Sequence, residues 1–210
     1  MKEVISALFD FDGVVMDTES QYTHFWQQIG EDYGFPHLES RVKGQTLTYI
    51  YQTFFAGKES AQREITERLN RFEQQMQFLL VPGVESFIHS LRSHGIATAV
   101  VTSSNAQKMA AVYQAHPEVK AWFDRIFTAE QFAASKPDPD CYLLGMRTFG
   151  STPEHTYVFE DSVNGLKAGL ASGARVIGLA TTFPRETVAQ LCHRVIEDFQ
   201  TFTLDAMLRV

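Results

Sequence analysis

The sequence predicts an α/β protein whose doubly wound, Rossmann-like parallel sheet carries an inserted, all-helical cap. Three observations lead there. After about residue 80, short apolar runs alternate with amphipathic helical segments, the rhythm of strands joined by crossover helices. Residues 17–79 show helical spacing and no strand-like alternation. A lone apolar run at residues 4–9 stands ahead of that stretch and supplies the sheet with its first strand.

Taken in order, Val4-Ile5-Ser6-Ala7-Leu8-Phe9 runs straight into Asp10-Phe11-Asp12-Gly13, where a buried strand meets a glycine turn. In the helical stretch, Tyr22, Trp26, Ile29 and Tyr33 recur at i, i+4, i+7 and i+11. Leu47, Ile50 and Phe54 mark a shorter helix, and Ile65, Leu69, Phe72, Met76 and Leu79 one face of a longer one. These stripes read as packing, and Trp26 with them. Pro82-Gly83 then opens a helix with Val84, Phe87, Ile88 and Leu91 on one face, which Gly95 ends. Strands follow at 96–101, 125–127, 156–159 and 174–179, separated by helices near 104–115, 139–149 and 163–172. Pro139 suits a first helical turn and Gly173 a helix end. The division that results is a catalytic core of residues 1–15 and 81–210 and a helical cap domain of residues 16–80.

Composition narrows the function. With 210 residues, 44% of them hydrophobic and 20% charged, the chain can bury a substantial core, and its 17 Phe make that core bulky and aromatic. A net charge of −7 argues against nucleic-acid and anionic-membrane partners, and obliges any anionic substrate to find a local cation. No apolar stretch reaches the ~18 residues of a membrane span, and the N-terminus lacks a basic-then-apolar signal segment. Cys141 and Cys192 have no metal-like spacing, so the chain reads as reduced and cytoplasmic. No pair among the seven histidines suggests a metal site or a triad.

Four short segments carry chemistry, each ending a strand or opening the next helix. They are Asp10-x-Asp12, Thr102-Ser103-Ser104-Asn105, Ser135-Lys136-Pro137-Asp138-Pro139 and Glu160-Asp161-Ser162-Val163-Asn164-Gly165. Each alone has a bland reading, as a turn, a cap, a solvated lysine or an acidic first turn. Together they converge on the carboxyl ends of the strands, where such sheets bind ligands. Phosphoryl transfer needs this set: a carboxylate nucleophile, a second carboxyl as acid and base, oxygen ligands for Mg²⁺, and hydroxyl and lysine donors for the phosphate oxygens.

The four segments, in this order and with Gly13-Val14-Val15-Met16-Asp17-Thr18-Glu19 following the first, resemble the haloacid dehalogenase-like superfamily. The similarity is to its helical-cap branch, which includes β-phosphoglucomutase and sugar-phosphate phosphatases. The resemblance implies Asp10 as nucleophile and Asp12 as general acid/base. It implies Mg²⁺ on Asp10, the Asp12 backbone carbonyl and Asp161 with Glu160 assisting, and phosphate held by Thr102, Ser103 and Lys136. Asp17-Thr18 falls where the family's chain crosses into the cap, and Tyr22, Lys43 and Gln45 are the cap residues placed to select substrate. Two positions depart from the mutases: Tyr22 stands where they have a histidine, and Leu47 where they have an arginine three residues after the glycine matching Gly44. Lys43 and Arg41 are the nearby cations that could take that arginine's place.

The expectation is therefore a Mg²⁺-dependent phosphatase acting on a small phosphorylated metabolite, a sugar phosphate foremost, through an aspartyl-phosphate. A phosphosugar mutase is the alternative, and a catalytically silent phosphate-binding module the second. A dehalogenase would have no use for Asp12 or for Glu160 and Asp161. The family precedent points to a monomer.

Overall fold

The computed structural model describes residues 3–210. Six strands form one all-parallel sheet: β1 (Ser6–Phe9), β2 (Ala97–Val101), β3 (Arg125–Phe127), β4 (Thr156–Glu160), β5 (Arg175–Leu179) and β6 (Arg194–Ile196). Their spatial order is β3-β2-β1-β4-β5-β6. The chain winds one way from β1 and the other way from β4, so a crevice opens beyond the carboxyl ends of these two central strands. The doubly wound, Rossmann-like expectation holds, with one addition. β6 has three residues at the sheet edge, too few to show a period.

Between β1 and the rest of the sheet lie four helices: α1 (Glu19–Tyr33), α2 (Leu38–Val42), α3 (Leu47–Phe54) and α4 (Glu59–Gln75). They bury their own cluster of Trp26, Ile29, Leu38, Val42, Ile50, Phe54, Phe55 and Ile65. The two connections to the sheet run side by side. Asp17 N donates to Leu79 O (2.8 Å) and Val81 N to Val15 O (3.0 Å). The long helix stops at Gln75, so Met76 and Leu79 do not continue its stripe. The reason is local: the Gln21 side chain captures the Gln77 backbone, accepting from its N–H at 3.0 Å and donating to its carbonyl at 2.9 Å. Met76 instead packs under the sheet, and Leu79 is 59% exposed.

Seven further helices flank the sheet. Strand side chains alternate, so Ala7 and Phe9 point to one layer and Leu8 to the other. The first layer is packed by α5 (Val84–Ser93), α6 (Ala106–Ala115), α7 (Val119–Trp122) and, at the chain end, α11 (Leu204–Leu208). The opposite layer is packed by α8 (Asp140–Phe149), α9 (Val163–Ala171) and α10 (Arg185–Ala189). The phenylalanines concentrate in the first layer, where Phe9 stacks on Phe159 at 4.4 Å between centroids and meets Phe87 and Phe123 edge-on. No helix among the described residues is long and apolar enough to cross a membrane.

Candidate active site

Beyond Phe9 the ladder continues for one residue, Asp10 N donating to Phe159 O at 2.9 Å. The chain then coils tightly, with the N–H groups of Val14, Val15 and Met16 all directed to Phe11 O. Gly13 turns at φ +73°, and a Cβ there would lie 2.0 Å from Asp161 Oδ2, so both conformation and contact require glycine. This coil holds Asp10 at 6% exposure, directed toward the end of β4.

Glu160 and Asp161 arrive there on the last residue of β4 and the one after it. Glu160 is fully buried and fully engaged. Its Oε1 accepts from Lys136 Nζ (2.6 Å) and Tyr142 OH (2.7 Å), and its Oε2 from the N–H groups of Asp161 and Ser162 and from Ser162 Oγ. Gly165 lies so close that a Cβ would overlap this carboxylate. Lys136, 2% exposed on the loop before α8, also pairs with Asp10 at 3.1 Å and donates to Val101 O at 3.3 Å. Asp161 accepts from Thr182 through Oδ2, while its Oδ1 is buried with no partner among the described residues.

The electrostatics separate these carboxyls. Burial holds Asp10 well above the ordinary range, and the charge of Glu160 adds to that. Burial does the same to Asp161, helped by Glu19, Glu160 and Asp10. Glu160 goes the other way: burial disfavours its charge, but Lys136 and the hydrogen bonds from Lys136, Tyr142 and Ser162 more than offset it. Lys136 in turn is held above its ordinary value, because Asp10 and Glu160 outweigh its burial.

Asp10, Glu160 and Asp161 each offer an oxygen within 4.8 Å of the others. An all-oxygen set with one orphaned buried acceptor fits a hard divalent cation such as Mg²⁺, whose binding would expel the protons that burial favours.

Asp12 faces away from this cluster. Its Oδ1 takes Thr18 Oγ1 and Lys108 Nζ, and its Oδ2 takes Ser104 Oγ at 2.8 Å. Thr102 is buried and accepts from Ser104 N at 3.0 Å, which leaves its own hydroxyl proton to give. Ser103 Oγ donates to Gly44 O at 3.2 Å, a contact across to the helical segment. Two more bonds cross the same seam, Thr46 Oγ1 with Ser135 Oγ (2.6 Å) and Asn164 Nδ2 to Lys43 O (3.2 Å).

Between the sheet end and the helices lies a cavity of about 660 Å³. Asp10, Asp12, Thr102, Ser103, Lys136 and Asp161 line it from the sheet, and Tyr22, Lys43 and Gln45 from the helices; Glu160 lies buried behind Lys136. Trp26 both packs and lines the cavity. Lys43 pairs with Glu19 at 3.6 Å and lies over Phe183, while Gln45 Oε1 is a buried acceptor without a partner among the described residues. Burial, then repulsion from Asp12, raises Glu19 to about 7 against the opposing pull of Lys43. Leu47 packs against the helical apolar cluster, and Arg41 lies over Phe54.

Lys108, Glu73, Thr182 and Tyr142 are participants that motif reading misses. For the first two a signal exists. Lys108 shares an inner stripe with Val112, and Glu73 one with Ile65 and Leu69, so each places a charge where spacing calls for an apolar residue.

Residues 7–179 match the family described as haloacid dehalogenase-like hydrolase. A phosphorylated carbohydrates phosphatase of Thermotoga maritima is 29% identical over 184 residues, 83% of this chain and 84% of that protein. Hexitol phosphatase A of Escherichia coli is 30% identical over 191 residues, 86% of this chain and 84% of that protein. Among solved structures, a HAD hydrolase of family IA, variant 3, from Entamoeba histolytica superposes with a TM-score of 0.84 at 22% identity, covering 98% of each chain.

Proposed function

The chain belongs to the haloacid dehalogenase-like hydrolases, and from that premise we propose that it is a Mg²⁺-dependent phosphatase that hydrolyses a small sugar phosphate through an aspartyl-phosphate. The observation that carries the reading is the buried meeting of Asp10, Lys136, Glu160 and Asp161, with Asp161 Oδ1 left without a partner. Similarity to phosphatases of phosphorylated carbohydrates and hexitols supports the substrate class.

In this reading Asp10, the Asp12 backbone carbonyl and Asp161, with Glu160, would hold Mg²⁺. The ion, when bound, supplies positive charge that offsets the repulsion between phosphate and carboxylates. Asp10 attacks phosphorus and forms the acyl phosphate as the ester oxygen leaves. Asp12 gives that oxygen a proton, then takes one from the water that attacks the aspartyl-phosphate, which returns Asp10 and releases inorganic phosphate. Thr102 donates its free hydroxyl proton to a phosphate oxygen and Lys136 neutralises the anion; Ser103 joins them on giving up Gly44 O. The helices are a cap domain of residues 16–80, and their seam with the core excludes bulk water. Tyr22, Lys43 and Gln45 select the alcohol. The enzyme works as a monomer in the reducing cytoplasm, in keeping with its two free cysteines.

Hydrolysis is preferred to isomerisation on two observations. Leu47, which lines the cavity, is an apolar side chain packed against the helical cluster, while Lys43 is paired with Glu19 and Arg41 lies over Phe54. A second phosphate would therefore find no guanidinium there.

The test is inorganic phosphate release with Mg²⁺ across sugar phosphates, polyol phosphates, nucleotides, phosphoglycolate and pyrophosphate, beside Asp10→Asn. Release from sugar or polyol phosphates, abolished in the variant without change in its melting curve, is the expected result. Turnover retained in Asp10→Asn overturns the nucleophile. Silence across the panel overturns the phosphatase, and interconversion of β-glucose 1-phosphate with a bisphosphate activator would then identify a mutase.

A further inference from the structure

We propose that Lys108 is the positioning residue for Asp12, and that it is itself held in place by the helical segment, so that the acid/base is set only while α1 and α4 are packed against α6. The inference rests on the reading of Asp12 as acid and base.

A lysine at 1% exposure has to be compensated, because burying an unpaired ammonium costs several kcal/mol. The compensation here comes from two sides. From the sheet side, Nζ donates to Asp12 Oδ1 and to Ser104 Oγ at 3.1 Å. Ser104 donates to the other oxygen of the same carboxylate, so the three side chains close a small ring around Asp12. From the helical side, Nζ lies 4.5 Å from the centre of the Tyr22 ring. Tyr22 OH donates to Glu73 Oε1 at 2.8 Å, and Glu73 is itself 6% exposed with Oε2 unpartnered among the described residues. The charge of Lys108 counters the burial that raises Glu73. Tyr22 belongs to α1 and Glu73 to α4, and both helices precede the crossing back into the sheet.

Asp12, Tyr22, Glu73 and Ser104 line the cavity, and Lys108 sits behind them. It therefore acts on substrate through Asp12. Thr18 Oγ1 shares Oδ1 with Lys108 and Ser104 holds Oδ2, so Lys108 is the charged member of the donor set around the carboxylate and the one that also steers Ser104. Move α1 and α4 away, and Lys108 loses the aromatic face of Tyr22 and the nearby charge of Glu73.

The experiment is a double-mutant cycle of Lys108→Met and Asp12→Ala, read with p-nitrophenyl phosphate and with a sugar phosphate. Lys108→Met alone is expected to lower kcat by about 10²-fold, the cost of a misplaced reacting group, with KM little changed. In the Asp12→Ala background the same change should cost nothing further, since a residue that acts only through its partner is fully coupled to it. Equal losses in both backgrounds, or a loss confined to KM, would overturn the proposal. Glu73→Gln gives an independent arm, with a smaller kcat loss that also vanishes without Asp12; an unchanged kcat counts against the link to the helices. A crystal structure of Lys108→Met reads the proposal apart from activity: an Asp12 carboxylate turned from its present rotamer supports it, and an unmoved one refutes it. If Asp12→Ala alone leaves turnover intact, the acid/base reading has failed, and the crystal structure still decides the positioning.

Discussion

Two buried lysines flank the aspartates at the end of β1, and they are held by different parts of the molecule. Lys136 has every partner in the core: Asp10, Glu160, Val101 O and, at 5.2 Å, the face of Tyr142. Lys108 divides its partners between the core, where Asp12 and Ser104 lie, and the ring of Tyr22 on the other side of the seam. The surroundings of Asp10, the proposed nucleophile, are thus complete within the sheet, while those of Asp12, the proposed acid/base, are shared with the helices. On the proposed mechanism, a site divided in this way would bind phosphate before the helices settle and complete the chemistry only afterwards.

The sharpest way to break the comparison is to remove each cation in turn. Lys136→Met should lower kcat by about 10³-fold, since a donor aimed at developing charge is lost. It should also destabilise the metal-free protein by about 3–5 kcal/mol, because Glu160 remains buried without its counter-charge. Steady-state kinetics and urea unfolding measure the two. Lys108→Met should spare more of both quantities, and a reversal of that order would undo the contrast.

The next effect is on stability and has a definite sign. Burial, then Asp12, raises Glu19 to about 7 from the 4.5 of an unfolded chain. Between those values the folded protein keeps a proton that the unfolded chain has released, so stability falls as pH rises through that window. Asp10 and Asp161, both held well above 3.8 by burial, act in the same direction. Glu160, held below 4.5, contributes only in the acid range, where its stabilisation is lost as pH falls. Thermal melts in chelator should therefore show a lower melting temperature at neutral than at mildly acidic pH, reversed by Mg²⁺. Glu19→Gln should remove up to about 3 kcal/mol of that slope. A melting temperature that rises toward neutrality in chelator would contradict the assignment.

The smallest effect belongs to the seam. Ser135→Ala removes the bond to Thr46 and leaves Thr46 to cap α3 through Tyr49 N. It should change kcat/KM by severalfold, corresponding to about 1 kcal/mol, with no change in melting. A loss as large as that of Lys108→Met would mean the seam, and not Lys108, carries the dependence on the helices.

What could be read from the sequence follows the same division. Asp10-x-Asp12, Thr102 and Glu160-Asp161 are legible because each closes an apolar run, and strand ends in a parallel sheet converge whatever the loops do; Lys136 is legible from its proline-bounded turn just before a helix. The sheet itself was legible except for β6, whose residues 194–196 are too few for a pattern. Lys108 and Glu73 each leave a trace, a charge on an apolar stripe, but spacing does not name their partners, which lie on other elements tens of residues away. Thr182 carries no pattern of its own, and only the fold brings its hydroxyl to Asp161. Spacing alone puts Leu79 on a helical face, and the Gln21 side chain that ends that helix is invisible to periodicity.

The paired backbone bonds that join Val15 to Val81 and Asp17 to Leu79 have a consequence for how such a chain diversifies. From the sheet's side, the whole helical excursion is one short, ladder-like junction, no wider than a hairpin. Lengthening a loop whose ends are already pinned together costs little, since closure entropy grows only with the logarithm of its length. The four helices are in that sense an interchangeable cassette. On the proposed function, exchanging them would refit the machine for another alcohol while leaving the proposed phosphate half of the site untouched.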